Sequence, residues 1–457
     1  MIFAPFLRHS RWLIPSSEMT DSGIVQGDRS GHYRDLAIAA FHAGIDAGRP
    51  EPVTQDAVEQ IIRNADADFP PPTAIIAIGK AACAMADAAR QAGCKAPGII
   101  VTNDENYREM PGFDVHASAH PVPDMRGLRA SDAVEKLVRS LTADDHLLLL
   151  ISGGGSALLP APASGITLAD KMALNKALLA SGLDIHDMNV IRRLFSRLKG
   201  GRLAALAMPA RISQFLLSDV PGDRLESIAS GVAAPEPTSL DAAIDLVRLH
   251  GLDRLDFVPK HLDALVSGKV RAPLGADNPA FDNVQTKILA SNNMCRSAGR
   301  ALIEAEGDIE IIDAPDLDGD ASDMGARLAN CVFSVTRPGH YGIIVGGETT
   351  VKLDATSGIG GRAQEVALTT AIAFAADAMS APANWAVLVG GTDGRDGPCD
   401  AAGAILTSDD ALDISKARAA LKAHDCYPFL QQVGQLLMTG GTGTNLGDLA
   451  IILFARN

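Results

Sequence analysis

No two of the six cysteines (Cys83, Cys94, Cys295, Cys331, Cys399 and Cys426) form a Cys-x-x-Cys pair, and they are scattered over 457 residues. That spacing excludes a disulfide framework and a zinc site of paired cysteines, and predicts reduced core cysteines in a cytoplasmic protein. Positive charge is also scarce: 40 Lys and Arg face 55 Asp and Glu, a formal net charge of −15. Such a balance argues against a nucleic-acid surface, so any anion-handling site must gather its basic groups locally. No apolar stretch approaches the roughly 18 residues that cross a bilayer, and no membrane partner is expected. There is no His-Glu-x-x-His, no Gly-x-Ser-x-Gly and no paired histidine ligand set, which removes hydrolase and transition-metal readings. His116 and His120 read as satisfied loop histidines. Residues 1–30 read as a disordered leader, because Arg8, His9, Arg11 and Pro15 break the run that a signal peptide needs.

What is present is an α/β pattern. The chain is 47% hydrophobic and long enough for two or three domains. AIIAI (74–78), GIIV (98–101), LLLLI (147–151), ISQFLL (212–217), KILA (287–290), IEII (309–312), GIIV (342–345), AVLV (386–389) and AIIL (450–453) read as buried strands. Continuous apolar strands separated by helices predict parallel sheets covered on both faces. Helices are predicted over 168–182 and over 186–201, the second ending on a double glycine. Segment 225–285, rich in Pro, Asp and Asn, reads as the connection between two lobes.

Six strand-linked segments are glycine-rich or polar: IGK (78–80), SGGGSA (152–157), SDVPGD (218–223), GGETT (346–350), GGTDGRDGP (390–398) and TGGTGTN (439–445). Loops at the carboxyl ends of parallel strands share one edge, where ligands bind, and six of them predict one anion-oriented cleft. Ser152, Gly153, Gly154, Gly155 and Ser156 have the parts of a phosphate cradle, bare backbone plus hydroxyl donors. Lys80 stands at a helix N-terminus, where a lysine is unfavourable with the helix dipole and a contact to a phosphoryl oxygen explains it. Arg192, Arg193, Arg197, Lys199 and Arg202 crowd one predicted helix and its exit, with Arg193 and Arg197 on a common face. Of these, Lys199, before Gly200, is the candidate for the cleft. Asp219 and Asp393 leave buried strands as isolated carboxylates suited to accept a hydroxyl proton or hold Mg²⁺, with Glu348 a weaker third. GIGGRAQE (358–365) contains the relaxed dinucleotide fingerprint, but the strand-like TTVKL before it is separated by DATS. Arg362 as a bidentate clamp on carboxylate or phosphate is the better use of that loop.

Taken in order, AIGKAA, HPVPD, LISGGGSALL, DKMALNKALLASG, KGGRLA, LLSDVPGD, IASG, GGETTV, GGRAQE, GTDGRDGPCDAAGA and TGTN resemble the class II glycerate 2-kinase family, whose C-terminal part is the MOFRL domain. The resemblance runs from about Tyr33 to the end. It implies a Rossmann-like N-terminal domain (31–270), a smaller C-terminal α/β domain (271–457) and an active site in the cleft between them. It further implies transfer of the ATP γ-phosphoryl group to the 2-hydroxyl of D-glycerate, with Mg²⁺ as cofactor. Lys80 and Arg362 match the family's proposed catalytic basic residues and Asp219 its acid; SGGGSA would belong to the phosphate surface. The substrates are small molecules, and a homodimer is the candidate assembly. Hydroxypyruvate reductase, a name carried by similar sequences, is the alternative and would need a nicotinamide site at 358–363.

Overall fold

A computed structural model describes residues 29–457 apart from 67–68, 121, 354–355 and 378; all but the end of the expected leader lies outside them. The first sheet contains β1 (Ala74–Ile78), β2 (Gly98–Asn103), β3 (Phe113–Ser118), β4 (His146–Ile151), β5 (Arg211–Ser218) and β6 (Val284–Ser291). All are parallel, in the order β3-β2-β1-β4-β5-β6, as in a doubly wound nucleotide-binding sheet. The second contains β7 (Ile309–Ile311), β8 (Gly339–Gly347), β9 (Asn384–Gly391), β10 (Gly403–Thr407), β11 (Leu436–Leu437) and β12 (Asp448–Arg456). Its order is β11-β10-β9-β12-β8-β7, and only β7 and β8 are parallel neighbours. The parallel expectation therefore fails for this sheet. An apolar run reports burial on both faces, which both sheets have, and carries no information on direction.

Alternation along the strands sorts the core into layers. Ile75 and Ala77 of β1 share one hydrophobic cluster with Ala386 and Leu388 of β9 and with Leu449, Ile451 and Leu453 of β12. Their neighbours Ala74, Ile76 and Ile78 point to a second cluster, and Val387, Val389, Ala450, Ile452 and Phe454 to a third. The shared cluster is filled by helices Arg29–Ala47, Pro50–Arg63, Ala82–Gln91 and Asn292–Glu304, which lie between the two sheets. Beyond residue 270, β6 completes the first sheet at Ser291, while Arg29–Ala47 packs against the second. Among the described residues no helix is long and apolar enough to cross a membrane.

Three further expectations give way. Segment 225–285 holds helices Leu240–Leu249 and Val258–Val266, which pack with Leu168–Ala180 and Ile185–Leu194 around their own core. The helix expected over 186–201 stops at Leu194, because Ser196 pairs with Pro162 in a β-bridge and Arg197 N–H donates to Ala161 at 2.9 Å. Arg193 and Arg197 thus share no helical face. TTVKL forms no strand either; Thr350 alone bridges to Asp320.

Arg193 is fully buried and pairs with Glu236, Nη2 to Oε1 at 3.0 Å, while Nη1 donates to the Glu226 carbonyl. Removing one partner leaves a buried charge alone. Arg193→Met is expected to lower stability by about 3–5 kcal/mol in urea unfolding, and Arg193→Met with Glu236→Leu to recover most of it.

Candidate active site

The loops after β1 and β4 meet where strand order reverses in the first sheet, the place ligands occupy in open α/β sheets. Their backbones are laced together. Lys80 N–H donates to the Gly153 carbonyl at 2.9 Å, and Ala81 N–H to the Ser152 hydroxyl at 3.0 Å. Gly79 has φ of +128°, and a Cβ there would stand 2.2 Å from Ser152 Oγ, so this crossing requires glycine. A Cβ on Gly153 would come within 2.4 Å of Asp219 Oδ2 and 3.4 Å of Asn445 Nδ2. One on Gly154 would reach the His120 ring and the Lys80 stem at 3.4 Å. Four polar side chains therefore surround two bare residues. Lys80 is half-buried, and its ammonium makes no hydrogen bond or ion pair among the described residues. Burial pushes the Asp219 carboxyl up to about 6; Glu348 adds to the rise and Lys80 opposes it. Such a carboxylate is ionised just below neutral pH, the range in which a general base works.

Arg362 faces this group from the second sheet. It opens helix Arg362–Ala376, and its Nε and Nη2 donate to the two oxygens of Asp448 at 2.6 and 3.1 Å. Nη2 also donates to Glu348 at 2.6 Å, leaving Nη1 uncommitted among the described residues. The bonds to Asp448 raise the guanidinium's proton affinity against the effect of burial. The same helix start is capped from another loop: Ala363 and Gln364 N–H donate to Asp396 at 3.1 and 2.8 Å. Burial pushes Asp396 up to about 7 despite those bonds, with Asp448 adding. Glu365, also buried and pushed up by burial, pairs with His424 Nδ1 at 2.8 Å.

Between the lobes lies a cleft of about 1010 Å³ lined from both sheets. It brings together Lys80, Ser152, Gly153, Glu348, Arg362 and Asp393, with Asp219 against Gly153. Gly154, Gly155, Ser156, Lys199 and Gly200 do not line it. Gly155 abuts Ala229, Gly200 abuts Pro273, and the Lys199 ammonium donates to the Ser156 carbonyl at 2.5 Å. Ser152 Oγ accepts from Ala81, and Ser156 Oγ shares a hydrogen bond with Ser230 Oγ, so both hydroxyls serve neighbouring loops. Among the described residues no group of three His, Cys, Asp or Glu is placed to hold a metal ion, Asp219 and Asp393 included. His120, read as a loop histidine, lines the cleft, whereas His116 pairs with Asp114 outside it.

Side chains from other loops crowd the backbone of GIGGRA, although Gly360 and Gly361 line the cleft. A Cβ on Gly358 would meet Asp425 at 2.3 Å, and one on Gly361 would meet Asp396 at 2.2 Å. The N–H groups that a pyrophosphate would need are taken by Asp396. Sequence reasoning missed Asp396, Asp448, Asn445 and the Glu365–His424 pair. Asp396 and Asn445 stood within quoted loops, while Asp448 and His424 come from segments far along the chain from Arg362 and Glu365.

Two family models match the chain: a domain of unknown function (DUF4147) over residues 36–266, and the MOFRL family over 341–448. The D-glycerate 2-kinase of Thermotoga maritima is 33% identical over 92% of this chain and 97% of that protein. A crystal structure of glycerate kinase from the same organism superimposes with a TM-score of 0.79 at 32% identity, covering 93% of this chain and 100% of the other. A protein of Agrobacterium vitis provisionally named hydroxypyruvate reductase is 38% identical over 83% of this chain and 98% of its own. The chain is a two-domain α/β protein with its cleft at a topological switch point. It belongs to the class II glycerate 2-kinase family.

A buried carboxyl that holds its proton to about pH 7, against 3.8 ordinarily, makes the folded chain bind more protons than the unfolded one in between. The stability of the wild type relative to Asp396→Asn is therefore expected to fall as pH rises from about 4 to 7 and to level off above. The amplitude is on the order of 2–4 kcal/mol, read by urea unfolding at several pH values; a flat difference would exclude burial as the controlling cause.

Proposed function

We propose that this chain is a cytoplasmic glycerate 2-kinase that transfers the γ-phosphoryl group of ATP to the 2-hydroxyl of D-glycerate. The observation that carries this reading is the meeting of Lys80 and Arg362, from the edges of two different sheets, in one cleft with Asp219 against the Gly153 backbone that lines it. The glycerate kinase relatives support the substrate pair, and six free cysteines support the compartment.

In this reading Asp219 takes the proton of the 2-hydroxyl. The freed oxygen attacks the γ-phosphorus, the bond to the β-phosphate oxygen breaks, and ADP leaves. Lys80, whose ammonium forms no ion pair among the described residues, neutralises the phosphoryl oxygens during transfer. Arg362, fixed through Nε and Nη2, offers Nη1 to the carboxylate of the acid, and the bare backbone at Gly153 lets phosphate approach. Seven carboxylates (Asp104, Glu105, Glu348, Glu365, Asp393, Asp396 and Asp448) line the cleft beside Lys80, Arg362 and Arg395. A triphosphate entering there needs a divalent cation. The oxygen donors suit Mg²⁺, which takes one or two carboxylates alongside phosphate oxygens; Asp393 would hold it, and the ion would shield phosphate charge.

Incubation with ATP, Mg²⁺ and D-glycerate is expected to release ADP and to feed enolase directly, without phosphoglycerate mutase. A signal that requires the mutase would move the phosphate to the 3-hydroxyl, and oxidation of NADPH by hydroxypyruvate without ADP release would replace the kinase by the reductase. Lys80→Ala should lower kcat/KM by about a hundredfold or more. With Asp219 as base, kcat/KM should rise with pH through about 6 to a plateau, and Asp219→Asn should remove that limb along with most activity.

A further inference from the structure

Behind the SGGGS loop, four basic side chains are held in no ion pair among the described residues; Glu236 acts on one of them, Arg202, only from beyond ion-pair distance. Arg193 is neutralised by Glu236, and Arg197 by Glu135 and Asp132. Lys171, Arg192, Lys199 and Arg202 form no ion pair among the described residues; their hydrogen bonds end on carbonyls and amides. Lys199, 3% exposed, reaches the Ser156 carbonyl at 2.5 Å, and Lys171 the Phe195 carbonyl at 3.3 Å. Arg192 Nε and Nη2 converge on Asn175 Oδ1 at 3.0 and 2.6 Å, one helical turn beyond Lys171, and Nη1 reaches Asn189 at 3.2 Å. Arg202, 2% exposed, spends Nε on Arg271 and Nη1 on Arg193 and Lys199 carbonyls, while Nη2 is buried without a partner.

Buried charges are ordinarily paired, since carbonyls solvate an ammonium without neutralising it. Nearby carboxylates are engaged elsewhere: Asp170 closes a capping box with Thr167, Asp184 caps its own helix, and Glu236 holds Arg193. The strain shows in the proton affinities. Burial, then Arg192 and Arg193, pushes Lys199 down to about 7, and burial, then Lys199 and the arginines, pushes Lys171 well below its ordinary value.

We propose that Lys171, Arg192 and Lys199 form an anion site outside the cleft, bounded by the SGGGS loop and helices Leu168–Ala180 and Ile185–Leu194, for a small oxyanion: phosphate or a carboxylate. None of the three lines the cleft. Among the described residues each ammonium donates one hydrogen bond of a possible three, and the two repel each other, so a bound oxyanion would supply negative charge that their carbonyl partners lack. The site stands independently of the kinase reading.

Calorimetric titration with inorganic phosphate, on the full chain and in the absence of nucleotide, tests it. Wild type and Lys80→Ala are expected to share a phosphate site of equal affinity. Lys171→Met and Arg192→Gln, each with native circular dichroism, should weaken that site about tenfold, the loss of one charge-assisted hydrogen bond. A parallel titration with D-glycerate identifies the source: weakening in Lys171→Met assigns the site to the acid's own carboxylate, and unchanged binding assigns it to free phosphate. No phosphate binding to the wild type overturns the proposal. So does binding that is lost in Lys80→Ala yet kept in both other variants. Neither result depends on whether D-glycerate is phosphorylated.

Discussion

The cleft exists because two sheets share one core. Four helices fill the space between them, and a single apolar cluster runs from the inner face of β1 to the inner faces of β9 and β12. Each leucine or isoleucine buried there contributes about 1.5–3 kcal/mol, so separating the sheets would expose far more than a domain's net stability. The chain crosses between the sheets at Gly48–Arg49 and again at Ser291–Asn292. Both crossings are tied to the segment that leads into β12. Thr444 Oγ1 donates to the Gly48 carbonyl at 2.8 Å, and Asn292 Nδ2 to the carbonyls of Leu446 and Asp448 at 2.8 and 3.0 Å. Because Asp448 in turn grips Arg362, the placement of the guanidinium across from Lys80 follows from the shared core and its two crossings.

Two of the cleft's cations, Lys80 and Arg362, are prepared differently. Arg362 is held by Asp448 and Glu348, and one face of the guanidinium is presented in a fixed plane, which suits recognition of a planar carboxylate. Lys80 is anchored only by its backbone, and its ammonium on a flexible stem suits a phosphoryl group whose oxygens move during transfer. Pairing Lys80 with a carboxylate would have cancelled the charge on which the proposed transfer relies. Asp219 instead sits behind Gly153, close enough to feel the ammonium yet short of an ion pair.

Nine of the twelve strands among the described residues were legible from apolar runs, because two-sided burial writes a continuous signal. The three that were not are β3, an edge strand with half-exposed residues, β11, of two residues, and β10, whose short run is embedded in a glycine-rich segment. Sheet direction was illegible for the same reason that strands were legible. Lys80, Ser152, Gly153, Arg362 and Asp393 could be brought to one cleft from local motifs, since each leaves a strand or opens a helix. Asp448 could not, because its meaning depends on β12 inserting antiparallel between β8 and β9, a pairing decided by the whole sheet. Lys199 was assigned to the cleft for its place before Gly200, at the exit of a helix expected to run on to the double glycine. The chain leaves that helix at Leu194, which turns its side chain toward Ser156 instead.

The loops SGGGSA, KGG and IASG are separate in sequence and a single unit in space, and backbone strain shows how they are held. Ala229 and Ser230 have φ of +48° and +59°, in the left-handed region that costs an L-residue about 1–2 kcal/mol each. Three contacts hold them there. The Ala229 Cβ lies 2.9 Å from where a Cβ on Gly155 would stand, the Ser230 hydroxyl bonds that of Ser156 at 2.7 Å, and Gly200 N–H donates to the Ser230 carbonyl at 3.1 Å. A relaxed turn would withdraw the Ala229 methyl from Gly155 and free Ser156, whose carbonyl is the one held by Lys199. The strain therefore sits one layer behind Gly153, fixing a glycine-rich loop that has no side chains of its own with which to hold a shape.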